Sequence, residues 1–290
     1  MLKILIIYHG QKWTLKDVSI WKQQLSSTDL APEFVATKHK GHATELAVSC
    51  THNVVMAVGG DGLISECING IMALATKPLF CFHPKGTGND YHRSVSGIRS
   101  PKDLIDALTN KKIVQVDLLK ISGNKQTRYC NNVTDIGLGG LVVFKLEELR
   151  KSQVRFSYFK AIVKAFKEYI PKELNLLIDD QPLKCFPLLI AFAKGNYFGN
   201  KIGIAPHANV SDKQIAITLI DRVSVMTYLR FLPKLKQQKK INDPRIKYLK
   251  GSQVKIMNSS LNMEVDGEGF EPGEDVTISV IEEAISVVTL

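Results

Sequence analysis

The clearest signal of the fold is the segment Asn53-Val54-Val55-Met56-Ala57-Val58-Gly59-Gly60-Asp61-Gly62-Leu63. Its apolar first part, residues 53–58, predicts a buried strand, and the glycine-rich turn after it leads into a helix expected to begin near Ile64. In such a turn, backbone N–H groups and the helix N-terminus can close on a phosphate. Asp61 would repel that phosphate unless a cation lay between them, so it is most simply a metal-linked or proton-accepting group. A structural turn in which Asp61 caps the helix explains the pattern about as well.

A second glycine-rich turn follows the next predicted strand, residues 79–82. It reads Pro84-Lys85-Gly86-Thr87-Gly88-Asn89-Asp90. Thr87 can donate its hydroxyl to a phosphate, Asn89 can bond a ribose or a base edge, and Asp90 can orient a cation or a substrate hydroxyl. Two such loops on neighbouring parallel strands build one crevice, which is where open α/β sheets bind ligands.

Outward from these loops, the first 115 or so residues alternate β-rich runs with helical periodicity, which predicts β-α-β units around a parallel sheet. The expected strands are 2–8, 34–37, 53–58 and 79–82, and the expected crossover helices are 43–50 and 64–75. From Val116 onward, β-rich runs bounded by Gly, Asn, Asp and Pro predict an antiparallel, sandwich-like second domain. Its expected strands are 116–121, 128–134, 174–179, 185–193, 214–220, 253–257, 261–265 and 275–280, interrupted by one amphipathic helix within 156–170.

Composition restricts the partners of the chain. The 290 residues carry 38 Lys plus Arg against 28 Asp plus Glu, a formal charge of +10 that favours nucleic acid, nucleotide phosphates or acidic lipid. The basic residues are not interleaved with stacking aromatics, which argues against nucleic acid. Five cysteines without a C-x-x-C pair indicate buried thiols in a reducing cytosol. No signal peptide or membrane span is expected, so the predicted location is cytoplasmic.

The motifs together resemble the diacylglycerol kinase catalytic-domain family, and the compact chain is most similar to its bacterial soluble lipid kinases. The family is related to sphingosine and ceramide kinases and, more distantly, to NAD kinases. The resemblance is carried by Val58 to Leu63 with Glu66 and Asn69-Gly70, Gly86 to Asp90 with Arg93, Thr37 with His42-Ala43, Asn132 to Gly139, Asn196-Tyr197-Phe198-Gly199, Ala205-Pro206 with Ala208, and Asp266-Gly267-Glu268.

That resemblance implies an N-terminal Rossmann-like α/β domain (1–115, completed by 281–290) and a C-terminal β-sandwich lipid-substrate domain (116–280), with ATP in the cleft between them. It implies ATP-dependent phosphorylation of a lipid hydroxyl, most simply diacylglycerol to phosphatidic acid. The implied ATP-binding residues are Thr37, Gly59, Gly60, Asp61, Gly62, Leu63, Ile64, Ser65, Gly86, Thr87, Gly88, Asn89 and Asp90. The implied substrate-side residues are Glu66, Arg93, Asn132 and Asp266.

Two carboxylates are the implied catalytic pair. Glu268 is favoured as the base that accepts the hydroxyl proton and Asp61 as the organiser of metal or substrate, with the reverse assignment left open. The implied cofactors are ATP and Mg²⁺. The family's structural magnesium loop would fall on Asn209, Asp212 and Gln214, of which only Asp212 would offer a carboxylate and the others backbone oxygens.

Four positions depart from the usual family pattern. Tyr8-His9-Gly10-Gln11 stands where an Asn-Pro loop is usual, and Leu63 stands where bacterial members carry Thr. Lys85 replaces an apolar residue, and Lys213 replaces the usual Gly after Asp212. These departures leave open a nucleotide- or lipid-binding regulator with weak or no catalysis, or a kinase of a soluble or other lipid substrate.

The excess positive charge fits an enzyme whose substrate lies in an anionic membrane. We expect residues 230–250 or the helix within 156–170 to face that surface, giving peripheral association during turnover. An exposed strand edge would permit a homodimer.

Overall fold

The computed structural model describes residues 1–151, 157–257 and 263–290. They form two compact units, unit 1 of Met1–Leu118 with Glu282–Leu290, and unit 2 of Leu119–Ile281. The predicted strand 261–265 therefore lies partly outside the described residues, as does the start of the predicted helix 156–170.

Unit 1 is an α/β domain whose elements alternate along the chain. They are β1 (Leu2–His9), α1 (Leu15–Leu25), β2 (Leu30–Thr37), α2 (His42–Val48), β3 (Val54–Gly59), α3 (Asp61–Ile71), β4 (Leu79–Pro84), a short 3-10 helix (Tyr91–Arg93), α4 (Pro101–Thr109) and the start of β5 (Ile113–Ser122). The parallel strands run in the order β2-β1-β3-β4, and Val287 near the chain end pairs in parallel with Phe80 of β4. This confirms the predicted Rossmann-like parallel sheet.

The core of unit 1 explains its apolar strands. β3 is buried at every position, as expected for a central parallel strand covered on both faces. On one face, Ile4 and Ile6 of β1 pack in one cluster with Trp13 and Trp21. β2 is four residues longer than predicted because Pro32 lies in a strand that ends the order β2-β1-β3-β4, where a missing N–H costs no ladder bond.

Unit 2 is predominantly antiparallel β-structure. Its elements are the end of β5, β6 (Thr127–Cys130), β7 (Val133–Gly137), α5 (Leu138–Lys151), α6 (Ser157–Glu168), β8 (Leu174–Ile178), β9 (Gln181–Cys185), β10 (Pro187–Ala193), β11 (Ile215–Asp221), α7 (Val225–Lys236), β12 (Ile246–Gly251), β13 (Gln253–Met257), β14 (Met263–Val265), β15 (Glu268–Phe270) and the first part of β16 (Val276–Val288). One sheet has the order β12-β11-β10-β7-β14-β15. A second set pairs β16 with β13, β13 with β8 and β8 with β9, all antiparallel.

An apolar core joins these two sets of strands. It includes Leu176 of β8 and Ile256 of β13 from one set, and Phe192 of β10 and Ile217 of β11 from the other. The predicted antiparallel sandwich is therefore confirmed. A further cluster includes Leu146 of α5, Ala161 of α6 and Leu189 of β10.

Several element boundaries in unit 2 differ from expectation. The predicted strand 128–134 is divided into β6 and β7, because the backbone N–H groups of Asn131 and Asn132 turn towards the carboxylate of Asp266. The predicted strand 185–193 is divided at Pro187, which has no N–H to continue a ladder. The expectation of one helix was wrong, since α5 and α7 flank α6 in the chain.

All five cysteines are free thiols, and four of them are buried. Among the described helices, none combines the length and the apolar character needed to cross a membrane.

Candidate functional site

The two glycine-rich loops of unit 1 are in direct backbone contact. The N–H of Lys85 donates to the carbonyl of Gly59 at 2.7 Å. A Cβ atom on Gly86 would lie 2.5 Å from the Cα of Gly60, and one on Gly60 would lie 3.1 Å from the Cα of Gly86. Glycine at both positions is thus what lets the loops at the ends of β3 and β4 meet.

The N-terminus of α3 opens beside this contact. The helix begins at Asp61, three residues before the predicted start, and its N-cap is the extended Gly60. In the described part of the chain, no side chain caps this helix. A Cβ on Gly62 would meet nothing within 4 Å. The first turn therefore offers partial positive charge and open space, the combination that suits a phosphate group.

Asp61 ties the two loops together. Its Oδ2 accepts the N–H of Asp90 at 3.2 Å and its Oδ1 accepts the N–H of Tyr91 at 3.0 Å. A Cβ on Gly88 would lie 3.3 Å from Oδ2 of Asp61 and 3.4 Å from Oδ2 of Asp90. The two carboxylates thus lie close together against Gly88, and each oxygen of Asp61 keeps a further lone pair.

The remaining predicted ATP-binding residues differ in their exposure and in their hydrogen bonds. Asn89 uses its Oδ1 to accept the N–H of Gly86 at 2.8 Å, so that oxygen closes its own loop. Thr87 is exposed, and Thr37 donates to the carbonyl of Tyr8 at 3.4 Å. Leu63, with Ile64 and Ser65, is buried in α3. The Leu63 side chain lies 3.1 Å from a Cβ built on Gly59, so the departure from Thr fills the space beside that glycine.

Two predicted substrate-side residues also belong to unit 1. Glu66 accepts the N–H of Gly41 at 2.9 Å and that of Ala43 at 3.2 Å, which caps α2 from a neighbouring helix. Arg93 ends the 3-10 helix, and its N–H donates to the carbonyl of Asp90 at 3.2 Å. The structure thus gives Glu66 a structural role that the motif comparison did not suggest.

Asp266 and Asn132 form a polar junction in unit 2. The Oδ1 of Asp266 accepts the N–H of Asn132 at 3.0 Å and the thiol of Cys130 at 3.1 Å, and its Oδ2 accepts the N–H of Asn131 at 3.2 Å. The amide of Asn132 donates in turn to the carbonyl of Tyr197 at 2.7 Å. These bonds fix the left-handed backbone of Asp266, φ 51°, at the start of the Asp-Gly-Glu turn.

Glu268 is the first residue of β15 and is held by an arginine that the motifs did not point to. Arg128 Nη2 donates to Oε2 of Glu268 at 2.9 Å. The side chain of Glu268 is 23% exposed, so part of its carboxylate is accessible to solvent. Arg128 is the first residue of the predicted strand 128–134, and nothing in that pattern points to Glu268 as its partner, so the sequence carried no signal for this ion pair.

A buried carboxyl pair lies behind the same turn. Asp135 of β7 faces Glu264 of β14, and both are almost fully buried. Oε2 of Glu264 accepts the N–H of Gly267 in the Asp-Gly-Glu turn. Burial raises the pKa of Asp135 to about 7. Burial, and then the charges of Asp135 and Asp266, raise the pKa of Glu264 well above its usual range, so the pair holds a proton.

The loop expected to hold a structural magnesium does not fit a metal. Asp212 Oδ1 accepts the ammonium of Lys194 at 2.9 Å, and its Oδ2 accepts that of Lys250 at 2.8 Å. Lys194 Nζ also donates to the carbonyl of Gln214 at 3.0 Å. Asn209 turns its Oδ1 to the N–H of Ser211. Burial raises the pKa of Asp212, but the hydrogen bonds from Lys250 and Lys194 outweigh burial and hold this pKa below its usual range.

Sequence reasoning did not single out Lys194. A signal was available, because a lysine directly after the wholly apolar strand 187–193 is a charge that is costly to bury without a partner.

Two family models match the chain. Residues 3–121 match the diacylglycerol kinase catalytic domain, and residues 132–289 match the YegS C-terminal NAD kinase beta sandwich-like domain. Among curated proteins, the diacylglycerol kinase of Bacillus subtilis strain 168 is 23% identical over 276 residues, covering 89% of each chain. That of Staphylococcus saprophyticus is 26% identical over 273 residues, covering 90% of this chain and 86% of the relative.

Solved structures share the fold. A putative diacylglycerol kinase from Bacillus anthracis superposes with a TM-score of 0.74 at 20% identity, covering 99% of this chain and 97% of the other. An NAD kinase from Archaeoglobus fulgidus in complex with ATP superposes with a TM-score of 0.56 at 13% identity, covering 99% and 94%.

Proposed function

Because the chain belongs to the diacylglycerol kinase catalytic-domain family, we propose that it transfers the γ-phosphate of Mg-ATP to the hydroxyl of a membrane lipid, with diacylglycerol as acceptor and phosphatidic acid as product. The observation that carries the proposal is the contact between the loops 59–62 and 86–90, with the open first turn of α3 beside it.

In this proposal, unit 1 binds the nucleotide. The N–H groups at the start of α3 receive a phosphate, and Gly62 leaves room for its oxygens. Asp61 holds the second loop in register through Asp90 and Tyr91. Its remaining lone pairs would hold the Mg²⁺ that accompanies ATP, and that ion would neutralise the phosphate charge. Neutralising that charge is what lets a carboxylate stand beside a triphosphate.

Unit 2 supplies the base. As the lipid oxygen bonds to the γ-phosphorus and the bond to ADP breaks, the hydroxyl proton passes to Glu268. Arg128 keeps the carboxylate of Glu268 in one orientation, and the turn before it is fixed by Asp266 and Glu264. We further infer that the exposed lysines and arginines of residues 230–250 bring the enzyme onto an anionic membrane.

The test is transfer of labelled γ-phosphate from Mg-ATP into a panel of lipids in mixed micelles. The panel comprises diacylglycerol, monoacylglycerol, a sphingoid base and a polyprenol, with NAD as a soluble acceptor. We expect label in diacylglycerol, and a loss of roughly 100-fold or more in kcat for Glu268→Gln, the scale of a general base.

Asp61→Asn should lose turnover to a similar extent, whereas Asp180→Asn, an exposed carboxylate of unit 2, is the matched control and should retain it. Retained turnover in Asp61→Asn and Glu268→Gln would overturn the assigned residues. Label in NAD alone would overturn the lipid acceptor, and ATP binding without any labelled product would favour a nucleotide-binding regulator.

A further inference from the structure

Lys194 is a fully buried lysine whose ammonium lies among oxygen atoms. Its side chain has 0% exposure, and its Nζ is 2.9 Å from Oδ1 of Asp212 and 3.0 Å from the carbonyl oxygen of Gln214. A buried ammonium is tolerated only when it is paired and hydrogen-bonded. Both oxygens come from the loop 209–214, so the lysine binds this loop to the end of β10.

The same carboxylate carries a second ammonium. Lys250 in β12 donates to Oδ2 of Asp212 at 2.8 Å, and its side chain is 42% exposed. The N–H of Gln214 also donates to Oδ1 of Asp212 at 3.2 Å. Asp212 is therefore the centre of a small network with one buried and one accessible cation.

A divalent cation and the Lys194 ammonium cannot share this position. Mg²⁺ lies about 2.1 Å from its oxygen ligands, so an ion bound to Oδ1 of Asp212 and to the carbonyl of Gln214 would overlap Nζ. Two neighbouring ammonium groups would also repel it. Two of the three groups that motif comparison offered as magnesium ligands thus already hold a cation that belongs to the chain.

We propose that the Lys194 ammonium is a built-in replacement for a structural divalent cation, so that the folding of the 209–214 loop in this protein does not depend on metal. This goes beyond the proposed phosphotransfer, since it concerns the stability of unit 2 without nucleotide or lipid.

Lys194 is also connected to the Asp-Gly-Glu turn through backbone hydrogen bonds. Its backbone N–H donates to the carbonyl of Asn132 at 2.9 Å, and the N–H of Asn132 donates to Asp266 at 3.0 Å. Lys194, whose ammonium is part of the chain, thus connects the 209–214 loop to the residues that fix the Asp-Gly-Glu turn. Its occupancy does not vary with the free Mg²⁺ concentration.

The test is thermal unfolding of the unliganded protein in excess EDTA and in millimolar MgCl₂ at matched ionic strength. We expect the same Tm for the wild type in both. Lys194→Met keeps much of the volume without the charge, and its Tm should fall by roughly 5–15 °C in both solutions, because Oδ1 of Asp212 and the carbonyl of Gln214 lose their buried donor.

Lys194→Ala should be destabilised in EDTA and recover in MgCl₂, because removal of the side chain opens a space bounded by the Asp212 carboxylate and the Gln214 carbonyl. Lys250→Met is the matched control: it removes the accessible cation from the same carboxylate, so its Tm should fall by about 2 °C or less, with no response to Mg²⁺.

A wild-type Tm that rises in MgCl₂ and loses this rise in Asp212→Asn would overturn the proposal, and that comparison stands even if the Lys194 variants do not fold. A folded Lys194→Ala protein with the same Tm in EDTA and in MgCl₂ would also overturn the proposal. Because neither ATP nor lipid is present, the result is independent of whether the protein is a lipid kinase.

Discussion

Gly62 and Gly86 lie in neighbouring loops but differ in what surrounds their Cα atoms. A Cβ on Gly86 would lie 2.5 Å from the Cα of Gly60 and 2.7 Å from Oδ1 of Asn89, whereas a Cβ on Gly62 would meet nothing within 4 Å. One glycine is therefore required by packing. The other is required only if a ligand occupies the space above it.

This difference gives opposite expectations for two alanine variants. Gly86→Ala should lower the free energy of unfolding by about 2 kcal/mol, since backbone atoms must shift to admit a methyl group. Gly62→Ala should raise it by about 0.5 kcal/mol through helix propensity, yet weaken Mg-ATP binding about tenfold or more by filling the phosphate space. Denaturant unfolding and calorimetric titration with Mg-ATP measure both effects. An unchanged ATP affinity in Gly62→Ala would show that no phosphate of ATP binds at this turn.

At the scale of secondary-structure elements, the pairing of β7 with β14 brings Asp135 opposite Glu264. Neither strand pattern marks this contact, because an acid in a strand normally faces solvent. The antiparallel register buries both side chains, and the N–H of Gly267 anchors Glu264 to the turn that carries Glu268. The pair thus connects strand packing to the position of the proposed base.

The buried carboxyl pair predicts a pH dependence of stability. The pKa of Asp135 is raised from its usual 3.8 to about 7, and that of Glu264 is raised as well. As pH rises from about 4 to about 7, the carboxyl groups of the unfolded chain release protons that the folded chain retains. The stabilising contribution of Asp135 is therefore complete below about pH 4 and is lost as pH rises to about 7, and Glu264 adds a decline of the same sign.

We expect the double variant Asp135→Asn/Glu264→Gln, which keeps hydrogen-bonding groups in place, to lose this decline, on the order of 3 kcal/mol between pH 4 and 7. Urea unfolding across that range measures it. Burial lowers the pKa of His83 and of His207 and produces a slope of the opposite sign, but it is common to both proteins and cancels in their difference. Asp180→Asn should leave the decline unchanged, and identical profiles for wild type and double variant would contradict the assignment.

At the scale of the whole molecule, the positive charge is concentrated in one stretch of unit 2. Residues 230–250 hold eight lysines and arginines and one acid, Asp243, which pairs with Arg245 at 2.8 Å. The lysines of this stretch are exposed along α7, the following loop and β12. Such a stretch attracts an anionic surface without needing a membrane-spanning segment.

We expect the triple variant of Lys234, Lys236 and Lys239 to Gln to bind phosphatidylglycerol-rich vesicles roughly 100-fold more weakly, since each basic residue near the surface contributes about 1 kcal/mol. The matched control replaces Lys16, Lys102 and Lys111 of unit 1, which are equally exposed and remove the same charge. Vesicle sedimentation at low and high salt measures both. Equal losses in the two triple variants would show that net charge alone, and not this stretch, governs binding.

The two-domain plan and the positions of the glycine-rich loops follow from the sequence alone, because both depend on local order along the chain. Apolar runs of strand length, helical periodicity and glycine-rich turns at strand ends are all written within a few consecutive residues. The strands expected at 53–58 and 79–82, with a glycine-rich turn after each, are confirmed, whereas the helix begins at Asp61 and not near Ile64. The boundaries were less exact, as with β6 and β7, where Asp266 ends one strand and starts the next.

The pairing of charges, in contrast, depends on the folded structure. Arg128 meets Glu268 across 140 positions of the chain, Asp135 meets Glu264 across paired strands, and Lys194 lies where a magnesium ion was expected. Each of these pairings depends on the register of distant strands, and a change of one residue in register would turn every side chain to the other face. The identity of a residue fixes its charge, but its partner is fixed by the folded sheet.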